Sequence, residues 1–145
     1  MMLMGTPVLD PIKDLLHLYS DAVCRQDSDQ WTATWCDSGI WDLGHDEIIS
    51  GKDSLKSFWT TSMARFKKVI HTYTNNTSTL NENLGTGTGR SYITEWLIPH
   101  EGEPIVIHGF YDDEYVFENN NWLFNKRTLS RHYMGKPDSG VEISC

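Results

Sequence analysis

The stretch Val69–Leu80, VIHTYTNNTSTL, sets the character of the chain, because it places a histidine inside a run of Thr, Tyr and β-branched residues. Such a run reads as a long strand. Asn81 to Gly85 supplies turn chemistry, and Thr88 to Ile98 forms a second long strand. The turn His100–Pro104 leads into Ile105–Phe117, and Glu118–Asn121 leads into Trp122–Tyr133. Four consecutive long strands joined by short polar turns predict an antiparallel meander. Strand alternation would put His71, Tyr73 and Asn75 on one face, where all three can look inward.

The residues before the meander follow a helical period. Asp10-Pro11 is a cap followed by a residue suited to a first helical turn. Ile12, Leu15, Leu16, Tyr19, Ala22 and Val23 then form one apolar stripe. Asp27 or Asp29 caps a shorter helix expected to carry Trp31 and Trp35. Short strands follow at Ile40–Leu43 and Glu47–Ile49, and a third helix opens at Gly51 with Leu55, Phe58, Trp59 and Met63 on its buried side. Helices segregated from a long meander predict an α+β domain over residues 10–134, with an arm at 1–9 and a tail at 135–145.

Composition narrows the function. The 145 residues are 39% hydrophobic and 22% charged, ordinary for a single soluble domain. A net charge of −8, with only Lys67-Lys68 and Lys126-Arg127 as cationic pairs, argues against nucleic acid as a partner. Cys24, Cys36 and Cys145 show neither paired nor metal-type spacing, which predicts free thiols, no metal site and a reducing, cytoplasmic setting. No secretory leader is visible, and no apolar run is long enough to span a bilayer. Phosphate-loop, zinc-protease and serine-hydrolase motifs are missing as well.

One further pattern points to a family. Tyr19-x-x-Ala22, Arg25-Gln26-Asp27, Trp31, Trp35, Asp37-x-Gly39, Trp41, Gly51-Lys52, Phe58-Trp59, His71, Asn75, Gly89-Arg90-x-Tyr92 and Gly109-x-Tyr111-x-Asp113-x-Tyr115 together resemble the SnoaL-like group. That group is a branch of the superfamily named after nuclear transport factor 2. The resemblance runs from about Pro11 to Tyr133 and is greatest to scytalone dehydratases and hexachlorocyclohexane dehydrochlorinases. It implies a cystatin-like cone: about three helices on a strongly curved, mostly antiparallel mixed sheet, enclosing an apolar pocket. It also implies no cofactor, a small hydrophobic and cyclic organic substrate, and a homo-oligomer, dimer or trimer. Trp96, Phe117 and Phe124 offer apolar surface for that assembly.

Elimination in this family uses a histidine base oriented by an aspartate, and His71 matches the base. An ungapped match, the more economical, puts Cys24 at the acid's position and leaves Asp27 as a helix cap. A three-residue gap makes Asp27 the acid instead. Glu95 and Asp113 are possible substitutes from the sheet. The resemblance also makes Tyr19, Trp41, Tyr73 and Asn75, together with His100, Tyr111 and Arg127, candidates for positioning substrate. Two other readings stay open: a non-catalytic binding or assembly module, and an isomerase using Asp42. With His71 near its ordinary pKa, activity would rise between roughly pH 6 and 7.

Overall fold

The computed structural model describes residues 10–137. The arm at 1–9 and most of the tail, including Cys145, lie outside them. Helix α1 spans Pro11–Arg25, with the Asp10 side chain accepting from the Lys13 amide at 3.1 Å. Its apolar stripe is buried as the period requires. Gln26 ends it in a left-handed conformation, and its side-chain amide donates to the carbonyls of Met63 and Phe66 at 3.0 and 3.1 Å. This fixes the helix end against the start of the meander.

Helix α2 covers Ser28–Ala33, strand β1 Trp35–Asp42, β2 Ile48–Ser50 and helix α3 Lys52–Met63. The meander consists of β3 Phe66–Asn81, β4 Thr86–Pro99, β5 Ile105–Glu118 and β6 Asn121–Gly135. The six strands lie in the order β2-β1-β6-β5-β4-β3. Among the described residues, only β1 and β6 pair in parallel. The mixed, mostly antiparallel α+β architecture is the one expected from sequence, although the sheet does not close.

Two aromatic residues depart from the expected placement. Trp35 opens β1 instead of belonging to α2, because α2 stops at Ala33. Phe124 is wholly buried and offers no assembly surface. Its partner across the sheet is Tyr115, while Lys126 faces Glu114, so Asn125 is an extra residue in β6. That bulge lets Phe124 and Arg127, three apart, both point inward.

Rings dominate the interior. Trp31 stacks on Trp59 with centroids 4.9 Å apart, and Trp35, Trp41 and Tyr19 crowd the same cluster. The indole nitrogens of Trp31 and Trp35 are buried without hydrogen-bond partners, a local cost that ring packing must offset. Gly109 sits at a second register shift, where an added Cβ would collide with the Ser130 carbonyl. Gly109→Ala is therefore expected to destabilise the fold by about 1–3 kcal/mol. A melting temperature equal to the parent's would show that β6 can move aside.

Candidate functional site

Strand β3 lies at an edge of the sheet, so alternate backbone groups lack a strand partner. At His71 helix α1 supplies the partners. Ser20 Oγ donates to the His71 carbonyl at 2.5 Å, and the His71 amide donates to Cys24 Sγ at 3.3 Å. Both backbone groups thus face away from β4, and His71 and Glu95 are direct cross-strand partners. Antiparallel partners of this non-hydrogen-bonded kind bring their side chains closest. His71 Nε2 lies 3.9 Å from Glu95 Oε2.

The same serine settles the imidazole tautomer. Ser20 Oγ is 3.1 Å from His71 Nδ1, and its one hydrogen is already committed to the His71 carbonyl. The hydroxyl oxygen must therefore accept from Nδ1–H. Nε2 is left as an unprotonated acceptor facing Glu95. Ser20 stands one helical turn before Cys24, so spacing along α1 was a signal for it that the family pattern did not draw out.

Burial, seconded by the Arg127 charge, pulls His71 from its ordinary 6.5 down to about 3. Burial pushes Glu95 the other way, from 4.5 up to about 7, against the opposing pull of Arg131. Of this pair, Glu95 is the one shifted toward neutral pH. The premise of a His71 near its ordinary pKa does not fit this burial, so a rise in activity between pH 6 and 7 is no longer expected from the imidazole.

Below the pair lies a buried charged cluster. Arg127 is 0% exposed and grips Asp113 through Nε and Nη2 at 2.7 and 3.2 Å. Its Nη1 donates to the Tyr73 hydroxyl at 2.9 Å. The guanidinium also lies 3.9 Å from the Tyr111 ring centre and 4.5 Å from that of Tyr19. Ser91 and Tyr115 donate to Asp113 Oδ2 at 3.1 and 3.3 Å, completing its coordination. Burial raises the pKa of Tyr73 and Tyr111, so both phenols stay protonated.

Several expected residues gather here. Tyr19 and Tyr73 pack their rings 5.6 and 5.0 Å from His71, and Trp41 Nε1 donates to the Tyr111 hydroxyl at 3.2 Å. Others do not. A register shift between Tyr73 and Asn75 makes Thr74 an extra residue, so Asn75 pairs with Tyr92 and is exposed, and Asn76 takes the inner position. Asn76 Nδ2 donates to Ser91 Oγ at 3.0 Å. His100 lies exposed in the turn beyond β4.

Neither candidate acid touches the imidazole in this structure. Asp27 caps α2, accepting from the Gln30 amide at 3.0 Å, and Cys24 meets only the His71 backbone. Asp42 accepts from the Gly44 amide in the β1–β2 turn at 3.0 Å. Cys24→Asp is accordingly expected to bring no gain in proton transfer, because a side chain there meets the His71 backbone amide and carbonyl and not the ring. Asp27→Ala should lose a cap worth about 1 kcal/mol. A faster Cys24→Asp variant in any elimination assay would contradict this placement.

The space around His71 is tightly packed; the residue is 3% exposed. Larger clefts open elsewhere, including one of about 690 Å³ bounded by Leu15, Leu18, Phe117 and Trp122. Among the described residues, no three His, Cys, Asp or Glu side chains are grouped to hold a metal ion. No described helix is long and apolar enough to cross a membrane.

The pattern of a family described as the SnoaL-like domain matches residues 9–128. Among solved structures, a scytalone dehydratase-like protein from Novosphingobium aromaticivorans is similar, with TM-score 0.81 and 17% identity over 91% of this chain and 93% of that one. The hexachlorocyclohexane dehydrochlorinase LinA-type3 from Novosphingobium barchaimii gives 0.76 and 20%, over 93% and 92%. A Nostoc punctiforme protein of cystatin-like fold gives 0.69 and 21%, over 88% and 95%. At such identities the likeness shows the fold. No curated protein matches.

Proposed function

The chain belongs to the SnoaL-like family, and from that premise we propose that it is a cofactor-independent lyase acting on a small, hydrophobic, cyclic molecule. The reaction is elimination of water or another small leaving group, with His71 Nε2 taking the proton. The observation that carries this reading is the Ser20 contact, which holds Nδ1–H and leaves the Nε2 lone pair on the inner face. Tyr19, Tyr73, Tyr111 and Trp41 supply the apolar walls and polar tips for positioning the ring. Asp42 faces a turn amide, so the isomerase reading has no support from geometry.

His71→Asn tests the proposal. Asparagine can keep a donor toward Ser20 while removing Nε2. On a panel of cyclic ketones carrying a β-hydroxyl or β-halide, it should lower turnover by about 10²–10⁴-fold, the scale of a positioned acid–base group. Equal rates for variant and parent would remove His71 from the chemistry.

One observation favours a second reading. The packed interior around His71, with the larger clefts elsewhere, suits a binding or assembly module. No turnover on the panel, combined with a partner or ligand seated in an outer cleft, would select that reading. Self-association is also part of the proposal. Trp96, Tyr133 and Met134 are exposed apolar residues of the sheet, and they replace Phe124 as its basis. Free Cys24 and Cys36 suit the cytoplasm.

A further inference from the structure

We propose that Glu95 is the proton donor of the site and that the group expelled is a hydroxyl, which leaves as water. The inference rests on His71 as base and concerns what the adjacent strand contributes to the same step. His71 and Glu95 occupy one register position on neighbouring strands, with Nε2 and Oε2 3.9 Å apart on the inner face. Because Ser20 holds Nδ1–H, the atom facing Glu95 is a lone pair. A carboxylate would repel that lone pair, whereas a carboxylic acid complements it.

The charged and titratable groups around Glu95 favour the acid form. His71 faces it from β3, and Tyr19 of α1, Tyr111 of β5 and Arg131 of β6 are within electrostatic reach of it. Burial keeps Tyr19 and Tyr111 neutral. Arg131 is the one cation in this set, and it donates to the Leu43 carbonyl at 2.7 Å. The Glu95 side chain is 19% exposed whereas that of His71 is 1% exposed, so of the two it is the carboxyl that keeps contact with solvent.

The leaving group follows from what is left for an anion. Halide departs without a proton, but it needs stabilisation of its charge. Arg127 cannot readily offer this, since its guanidinium is fully buried and held by Asp113 and Tyr73. Hydroxide departs poorly unless it is protonated, and an acid at the site meets that need. The steps balance. A substrate C–H proton passes to Nε2, and its electron pair forms the C=C bond. The C–O bond breaks as its oxygen takes the proton from Glu95, releasing water. The imidazolium proton then crosses to the Glu95 carboxylate, restoring both groups. As base and acid share one wall, hydrogen and hydroxyl should leave from the same face of the ring.

The test has one arm without substrate and one with it. Carbon-13 NMR of labelled glutamate carboxyls, assigned with Glu95→Gln, should show Glu95 protonated at pH 6 with a midpoint near 7. Nitrogen-15 spectra should show His71 neutral and protonated on Nδ1. An ionised Glu95 at pH 6 overturns the proposal, whatever the protein catalyses. With β-hydroxycyclohexanone and β-chlorocyclohexanone as probes, Glu95→Gln should slow loss of water by about 100-fold or more and loss of chloride only a few-fold. Loss of water should also decline as pH rises through 7. Equal slowing of both probes overturns the donor role but leaves His71 as base. No turnover of either probe by the parent protein defeats the lyase reading, and the leaving-group claim falls with it.

Discussion

Arg127→Met should destabilise the protein by about 3–5 kcal/mol, the scale for removing one partner of a buried ion pair. The loss comes mainly from what remains behind. Asp113 is 3% exposed overall, with a side chain that reaches no solvent at all. Without the guanidinium it keeps only the hydroxyls of Ser91 and Tyr115. Its carboxylate would be left as a buried, unpaired charge, and Tyr73 would lose its donor. Combining Arg127→Met with Asp113→Leu should recover much of the loss, because a buried pair replaced on both sides is often neutral. Urea denaturation of both variants measures this. A single variant within about 1 kcal/mol of the parent would mean that water already reaches the cluster.

Glu95→Gln and His71→Asn should give pH–stability profiles that slope in opposite directions. His71 has its folded pKa depressed from 6.5 to about 3, so it contributes stability at high pH that is lost as pH falls below 6.5. Glu95 has its folded pKa raised from 4.5 to about 7, so its contribution is full below 4.5 and is lost as pH rises toward 7. Between 4.5 and 6.5 the two cancel in the parent. The unfolded chain carries one proton on histidine, and the folded chain carries one on Glu95. Removing Glu95 exposes the histidine slope, and removing His71 exposes the glutamate slope. Each amounts to at most about 1.4 kcal/mol per pH unit. Subtracting the parent's profile cancels the other groups, and difference profiles that run parallel would show that the two residues are not oppositely shifted.

The meander, the apolar stripe of α1 and the inward His71 were legible because period and turn chemistry are local properties of the chain. The bulges at Thr74 and Asn125 were not. The extra Thr74 turns Asn75 outward, and the extra Asn125 lets Phe124 and Arg127 share one face. Strict alternation carries no sign of either, since a bulge is set by pairing with a neighbouring strand. His100 was placed by likeness to a family position, and only the turn after β4 shows that it faces solvent. The family pattern implies an aspartate that orients the ring. The side chain at Nδ1 is the hydroxyl of Ser20, and the nearby carboxylate stands on the other nitrogen.

Proton abstraction by His71 should reveal itself in a primary isotope effect. β-Hydroxycyclohexanone deuterated at the carbon that loses its proton should react several-fold more slowly than the protiated ketone with the parent protein. With His71→Asn the rate should fall by the same factor of about 10²–10⁴. An isotope effect and rate unchanged in His71→Asn would contradict the claim, since the proton would then be going elsewhere.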